Sequence, residues 1–519
     1  VRTPAFVNEH EQGISFAAMW QRWTQLITAR PLWALTLIAL LPRLLAALFS
    51  GGYFAHDDHF LIIEAAGSWV GGHDYNNWLP WNQGEDPHPS GHSFVYVGLH
   101  YLLFSLLHIA GLLDPELQLI VVRVLHALWS LVVVRVGYRI ALRLSDPTIA
   151  WQTGLFLALL FFMPFLAVRN LVEVACIPFL MFGALRLLGT ASSPSPRDLL
   201  VAGVWIGLAM NIRFQTIFFA VGPGLALLLQ RELRGAMLYG IGVIAPLLVL
   251  QGGIDLFLWG RPFAELGEYV RYNLNNTTTY GVLPWYNYLL LLAGMFIPPL
   301  SLGVGFGFLR RSAPLLLWLP TVLFIAIHSY FPNKQERFLL PIVPLYFILG
   351  YVAWEQWRRT ATWWGQRTGL WHWALRWTWG LNIVMLVLLC LSFSKRSRVL
   401  AQVMLRDREV RGMVIEDSNE GEAPMPPLFY SGHWTATVLP WTDPSSDLGA
   451  ELARYPDNVR PNYVLFYGVE DLPSRMQRTI AAMGPLEVVG VARPGLLDRT
   501  IHWLNPVNRN EAIIVARIR

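Results

Sequence analysis

The feature that most constrains this chain is a succession of apolar runs of bilayer-spanning length. They lie at about residues 31–50, 118–143, 149–167, 171–190, 198–212, 214–230, 235–259, 286–309, 313–330, 338–355 and 374–394. In lipid each backbone polar group needs a partner within the protein, and continuous apolar runs meet that demand as helices. Charge is scarce to match: 54% of the 519 residues are apolar and 14% charged, against roughly 25% charged in soluble domains. The 23 tryptophans suit interfacial belts. The net charge of +5 is no nucleic-acid signal, because the basic residues are scattered at helix ends. Cys176 and Cys390 are the only cysteines and both fall inside apolar runs, which argues against a disulfide framework or a cysteine metal site. The first twenty residues are polar and mixed, with no cleavable signal peptide evident.

Topology follows from the arginines. If the ambiguous run 93–113 lies at the interface, Arg22, Arg30, Arg135, Arg139, Arg143, Arg197, Arg231, Arg234, Arg310, Arg311, Arg358, Arg359 and Arg367 fall on one side, the cytoplasmic one. This predicts eleven transmembrane helices plus a juxtamembrane helix, with the long connection 51–117 outside. The domains expected are a transmembrane catalytic domain, 1–394, and a small soluble α/β domain, 395–519, on the non-cytoplasmic side. Strands are read at "PPLFYSG", "ATVLP", "YVLFYG", "LEVVGVA" and "AIIVARI", with "MQRTIAAM" helical between them. The basic stretch 395–411 would then be outside, which long translocated domains tolerate.

Ionisable groups at membrane depth are costly and need a reason. The outer face of this topology gathers Asp57, Asp58, Glu64, Arg123, Arg169, Glu173, Arg213, Lys334, Glu336 and Arg337, near helix ends or in loops. That distribution predicts a cavity open to the outer leaflet. In "FAHDDHFLIIE", Asp57 and Asp58 would serve as general base and helper for a sugar hydroxyl, with Glu64 on the same helical face seven residues on. An N-cap is the bland alternative, though a cap does not require both acids. A metal held by His56, His59 and the two aspartates is a third reading, without a defined ligand spacing. Lys334 and Arg337 in "NKQERF" fall three apart on one helical face, and Arg213 sits where two apolar runs meet. All three suit a phosphate. They are the more noticeable because Lys334 and Lys395 are the only lysines among 39 basic residues. Arg123 reads instead as snorkelling to headgroups. Trp285, Tyr286 and Tyr288 read as interfacial anchors or as the wall of a glycan pocket.

Several stretches together resemble the GT-C superfamily of polyprenyl-phosphate-sugar glycosyltransferases. The nearest pattern is glycosyltransferase family 22, the dolichyl-phosphate-mannose-type mannosyltransferases, of which this chain looks like a prokaryotic relative. "HDDHFLIIE" is similar to the family's first-loop motif at Asp57, His59, Phe60 and Glu64. Tyr280, Gly281, Pro284, Trp285 and Tyr288 match a second motif, Lys334, Arg337 and Phe338 a third, and Arg213 with Thr216 a fourth. The resemblance implies a GT-C-like polytopic α-helical membrane protein and an inverting transfer of a hexose, mannose first. The donor would be a polyprenyl-phosphate sugar and the acceptor a glycan, lipid-linked or protein hydroxyl on the non-cytoplasmic face. The site would face outward from a prokaryotic cytoplasmic membrane, or into the ER lumen in a eukaryote. It makes Asp57 the base, Asp58 its helper, and Arg213, Lys334 and Arg337 the holders of the leaving phosphate, with no obligatory metal or cofactor. Glu64, Glu173, His59, Tyr280 and Trp285 fall to acceptor contact or positioning. Two alternatives stay open. One is transfer of another sugar, such as aminoarabinose, to lipid A or protein; the other is a transporter or lipid carrier, which would want midplane charges and internal symmetry.

Overall fold

The computed structural model describes residues 29–189, 193–279, 281–506 and 509–519. Arg22, the polar first twenty residues and Tyr280 lie outside them. The body is helical. Among the described residues five helices are long and apolar enough to cross a membrane: Pro31–Phe49, Pro115–Leu144, Leu233–Trp259, Glu336–Thr360 and Thr368–Cys390.

Other runs read as single spans are broken. The run 149–167 stops at Leu159 and restarts as Phe162–Ala167. Pro164 has no N–H for the Leu160 carbonyl and its ring crowds that carbonyl, which favours a break there. The groups freed at the break find partners from other helices. Asn382 donates to Leu159 O at 2.8 Å and accepts from Phe161 N at 2.8 Å. Arg43, fully buried within the first helix and unread in the sequence, donates to the carbonyls of Ala158 at 2.8 Å and Leu157 at 3.2 Å. The run 286–309 likewise divides, into Asn287–Met295 and Leu300–Leu309 around Pro298 and Pro299.

The connection after the first helix forms a short turn, His56–Asp58, a π turn, His59–Glu64, and a helix, Ala65–Val70. The helix Phe94–Ile109 packs against them. Helix Pro196–Ile212, which delivers Arg213, lies very close to Leu233–Pro246: a Cβ on Gly203 would stand 2.2 Å from Tyr239 O.

The C-terminal part carries five strands: β1 Gly412–Glu416, β2 Thr437–Trp441, β3 Tyr463–Tyr467, β4 Leu486–Ala492 and β5 Ile513–Ile518. Their order is β2-β1-β3-β5-β4, with β1 parallel to β2 and β3, and β5 antiparallel to β3 and β4. Alternate residues serve opposite faces. Met413, Ile415, Leu465 and Val515 pack with Ala401 and Leu405, while Val414, Val464, Phe466 and Ile514 pack with Leu448 and Leu452. One strand expectation is corrected and one strand was missed. "PPLFYSG" is a 3-10 turn, Leu428–Tyr430, whose Phe429 N–H goes to the Glu64 carboxylate rather than to a ladder. β1 went unread, because its five residues follow a basic, helical-looking stretch and lack alternation.

This unit is seated on the helical body. Gly52 bridges to Ser394 with φ of +71°, and a Cβ there would fall 1.9 Å from Ser394 O. Phe429 packs on Phe104 at 5.1 Å, and Arg406 pairs with Asp114 at 2.6 Å.

Candidate active site

Five of the charged residues singled out from the sequence converge. Arg337 spans the two adjacent acids, one terminal nitrogen on Asp57 and the other on Asp58, while its Nε donates to Gln335 Oε1 at 2.8 Å. Glu173, fully buried, places Oε1 at 3.1 Å from Arg213 and 3.7 Å from Arg337 Nε. Arg213 is braced by Gln215 Oε1 at 2.8 Å and lies over the Phe338 ring at 5.2 Å. Three carboxylates therefore share two guanidinium groups.

Local backbone explains the placing. Arg337 opens the 3-10 segment Glu336–Ile342, and Arg213 sits in an extended break between Pro196–Ile212 and the turn Phe214–Thr216. Asp58 is pinned behind the cluster by Val172 N–H to Oδ1 at 2.9 Å. Its own carbonyl accepts from Asn170 Nδ2 at 3.1 Å, and Asn170 is held by the Tyr96 hydroxyl at 2.9 Å.

The two adjacent aspartates differ sharply. The Asp57 side chain is 49% exposed and that of Asp58 5%. Burial alone would raise Asp57, but Arg337 against it prevails and holds its carboxyl below the usual range. Asp58 is pushed up to about 7 by burial and then by the neighbouring Glu173, against the pull of Arg337. Glu173 keeps both oxygens free of aligned hydrogen bonds, so a buried carboxylate has acceptor capacity to spare.

The remaining expected site residues go elsewhere. Glu64 does not share a face with Asp57, because the π turn shifts the periodicity. It meets His59 Nε2, five residues back, at 3.1 Å and accepts from Phe429 N. His59 stacks between Tyr53 at 4.4 Å and Tyr430 at 5.7 Å. The side chains of His56, Asp57, Asp58 and His59 thus diverge instead of enclosing one point. Lys334 and Arg337 do not share a helical face either, since Lys334 precedes the 3-10 segment. The Lys334 ammonium donates to Phe331 O and lies 5.8 Å over Tyr288, a fully buried ring and no interfacial anchor. Trp285 is 65% exposed and packs only edge-on against Tyr286.

Several neighbours went unread. Gln215 and Asn170 are uncharged and carry no spacing signal. Glu265 lies far along the chain, yet its Oε2 accepts from Gly91 N at 2.6 Å and His92 N at 3.2 Å, pinning the loop that carries His92.

Comparisons with known proteins agree with this architecture. The chain is 23% identical over 341 residues to mannosyltransferase APTG1 of Arabidopsis thaliana, covering 62% of this chain and 58% of that protein. It is 24% identical over 247 residues to the Dol-P-Man:Man(7)GlcNAc(2)-PP-Dol alpha-1,6-mannosyltransferase of Drosophila melanogaster, covering 46% and 34%. It therefore spans less than two thirds of either relative's length. The fold is shared with ArnT from Cupriavidus metallidurans in the apo state, with a TM-score of 0.61, 14% identity and coverage of 96% and 98%. The same protein bound to undecaprenyl phosphate gives a TM-score of 0.60. The model of the Alg9-like mannosyltransferase family matches residues 33–413, most of the helical body, and the chain belongs to that family.

Proposed function

We propose that this protein is an inverting glycosyltransferase that moves a hexose, mannose first, from a polyprenyl-phosphate donor to an acceptor hydroxyl. The reading places an eleven-span catalytic body, 1–394, in the membrane, with the site and the unit 395–519 on the non-cytoplasmic side. One observation carries it. A half-exposed carboxylate, Asp57, shares a buried guanidinium with an enclosed one, Asp58. A base and a phosphate-binding cation thus stand side by side.

The chemistry follows from that contact. With the site empty, Arg337 depresses Asp57 and leaves it a weak base. A donor phosphate competes for the same terminal nitrogens, and as Arg337 turns to it Asp57 is released while still partly desolvated, so its basicity rises. Asp57 then takes the proton of the acceptor hydroxyl, whose oxygen attacks the anomeric carbon opposite the phosphate. The carbon–oxygen bond to phosphate breaks and its electron pair leaves with the phosphate oxygen, inverting the centre. Arg337 and Arg213 offset the charge that gathers on the leaving group. Lys334 joins them by moving off the Phe331 carbonyl. Glu173, with its unfilled oxygens, accepts from a second hydroxyl of the acceptor or of the sugar. Glu64 and His59 position the loop against the C-terminal unit, and the exposed Trp285 ring is left for the acceptor. The two arginines supply the cationic role at phosphate, so no divalent ion is required on this reading.

The test is release of polyprenyl phosphate from radiolabelled polyprenyl-phosphate-mannose by purified protein, with and without EDTA. Release abolished by Asp57→Asn and spared by EDTA is expected. Undiminished release by Asp57→Asn would sink the base assignment. Turnover only with another sugar, aminoarabinose included, would reassign the donor.

A further inference from the structure

Asp58 also lines a small open cavity, of about 40 Å³, whose lining includes neither Glu173 nor Arg213. Arg123, Arg169, Tyr53, Leu119, Val122 and Tyr430 are among the residues that line it. Its charge is unusual. Arg169 is 2% exposed and spends its terminal nitrogens on neutral groups: Gly51 O at 2.9 Å, Gly52 O at 3.2 Å and Ser50 Oγ at 2.5 Å. Its Nε has no hydrogen-bond partner among the described residues, and the group lies over the Phe165 ring at 4.5 Å. Arg123 gives only Nε, to Ala47 O at 2.8 Å, and its terminal nitrogens make no hydrogen bond among the described residues. Neither arginine is within ion-pair distance of a carboxylate among the described residues. Glu116 and Asp498 act on them only from farther off, and Asp58 in the wall is already taken by Arg337 and Val172 N–H. The Tyr430 hydroxyl, in a side chain 1% exposed, is also unpartnered, and burial keeps it protonated and able to donate.

Two guanidinium groups that line one desolvated pocket and repel each other are costly without an anion. Burial, and then repulsion by Arg123, bring Arg169 down to about 9. The snorkelling expected of Arg123 is not what the structure shows, since its head turns inward. The surroundings are apolar: Phe54 in the cavity lining is 44% exposed and nearby Phe49 55%. We propose that this cavity is a second anion site, which takes the phosphate group of a membrane lipid on Arg123, Arg169 and the Tyr430 hydroxyl while its chains lie against the exposed rings. The C-terminal unit, through Tyr430, thereby completes a binding site on the helical body. If the neighbouring cluster transfers sugar, the lipid held here is the acceptor; that extension rests on the transferase reading, and the site itself does not.

Native mass spectrometry of the full chain in detergent tests the site without any turnover. The titrant is dioleoyl phosphatidic acid, with dioleoylglycerol as the phosphate-free control and inorganic phosphate as competitor. Arg337→Gln, which removes the other anion position, should keep one tightly bound phosphatidic acid. Adding Arg123→Gln should weaken it about tenfold or more, and adding Tyr430→Phe about threefold. Tyr430→Phe keeps the ring and its stacking, so it decides the matter should the arginine variant fail to fold. Equal retention of dioleoylglycerol, or wild-type affinity in both variants, would overturn the site. Displacement by inorganic phosphate at comparable concentration would overturn the lipid assignment. A failed sugar-transfer assay would leave all of these readouts standing.

Discussion

The C-terminal sheet and the outer-face cluster both bury acids against arginines, and they close the account differently. At the end of β1, Arg475 donates to Glu416 Oε2 at 2.6 Å and to the carbonyls of Glu416 and Tyr467 at 3.0 and 2.8 Å. Next to it Arg509 meets Asp417 at 2.5 Å but leaves Asp417 Oδ1 without a hydrogen bond, so the closed pair is Glu416 with Arg475. Each buried acid there has its own arginine. In the cluster, Asp57, Asp58 and Glu173 share Arg213 and Arg337, and Glu173 accepts no aligned hydrogen bond. A closed pair fixes strand and loop; an open cluster keeps donors and acceptors for something not yet bound. On the proposed reading, fold specificity belongs to the first arrangement and chemistry to the second.

The comparison breaks most directly at Asp57. Asp57→Asn should cut transfer about a thousandfold, the scale of a lost general base, while the melting temperature in detergent stays close to wild type because the side chain is half exposed. The paired arginines come next. Arg475→Ala strands Glu416 in the sheet and should cost about 3–5 kcal/mol, visible as early melting and protease nicking after residue 411. Arg337→Ala should instead abolish donor turnover with a smaller loss of stability, since Asp58 can protonate. If Arg337→Ala melts earlier than Arg475→Ala, the division into closed and open charge is wrong. A smaller effect belongs to Gly67, where a Cβ would stand 2.6 Å from the Phe429 ring. Gly67→Ala should cost about 1–3 kcal/mol by overpacking and loosen the Glu64–Phe429 contact, read as faster amide exchange at Phe429.

What was legible from the sequence follows a physical line. Apolar runs report burial in lipid, and charges among them report a site because their cost is high, so Asp57, Asp58, Glu173, Arg213 and Arg337 stood out together. Backbone irregularity is where the reading failed. The α-helical period placed Glu64 beside Asp57 and Lys334 beside Arg337; a π turn and a 3-10 segment put them elsewhere. Nothing in "HFLIIE" announces its winding, and in "ERFLLPI" the one signal is Pro341, which denies the Arg337 carbonyl an α-helical partner. The break at Leu160 was available in Pro164, but its rescue by Arg43 and Asn382 comes from helices far along the chain. Neutral partners such as Gln215 and Asn170 are legible only in three dimensions.

The smallest expected effect is also the one that best separates the two kinds of charge. Burial, and then the charge of Glu173 beside it, push Asp58 up to about 7 against the pull of Arg337. Below that pH the protonated Asp58 leaves Arg337 free for an anion; as pH rises through it, the Asp58 carboxylate forms and competes. A phosphodiester donor keeps its charge across this range, so donor affinity should fall as pH rises through 7, with the limb belonging to Asp58. Glu173→Gln removes the charge that helps raise Asp58, and the limb should move to lower pH. The dissociation constant of a non-transferable polyprenyl phosphodiester, measured across pH for both proteins, reads this without catalysis. A limb that stays in place in Glu173→Gln would mean that the third carboxylate is balanced after all, and that the cluster is as closed as the pair in the sheet.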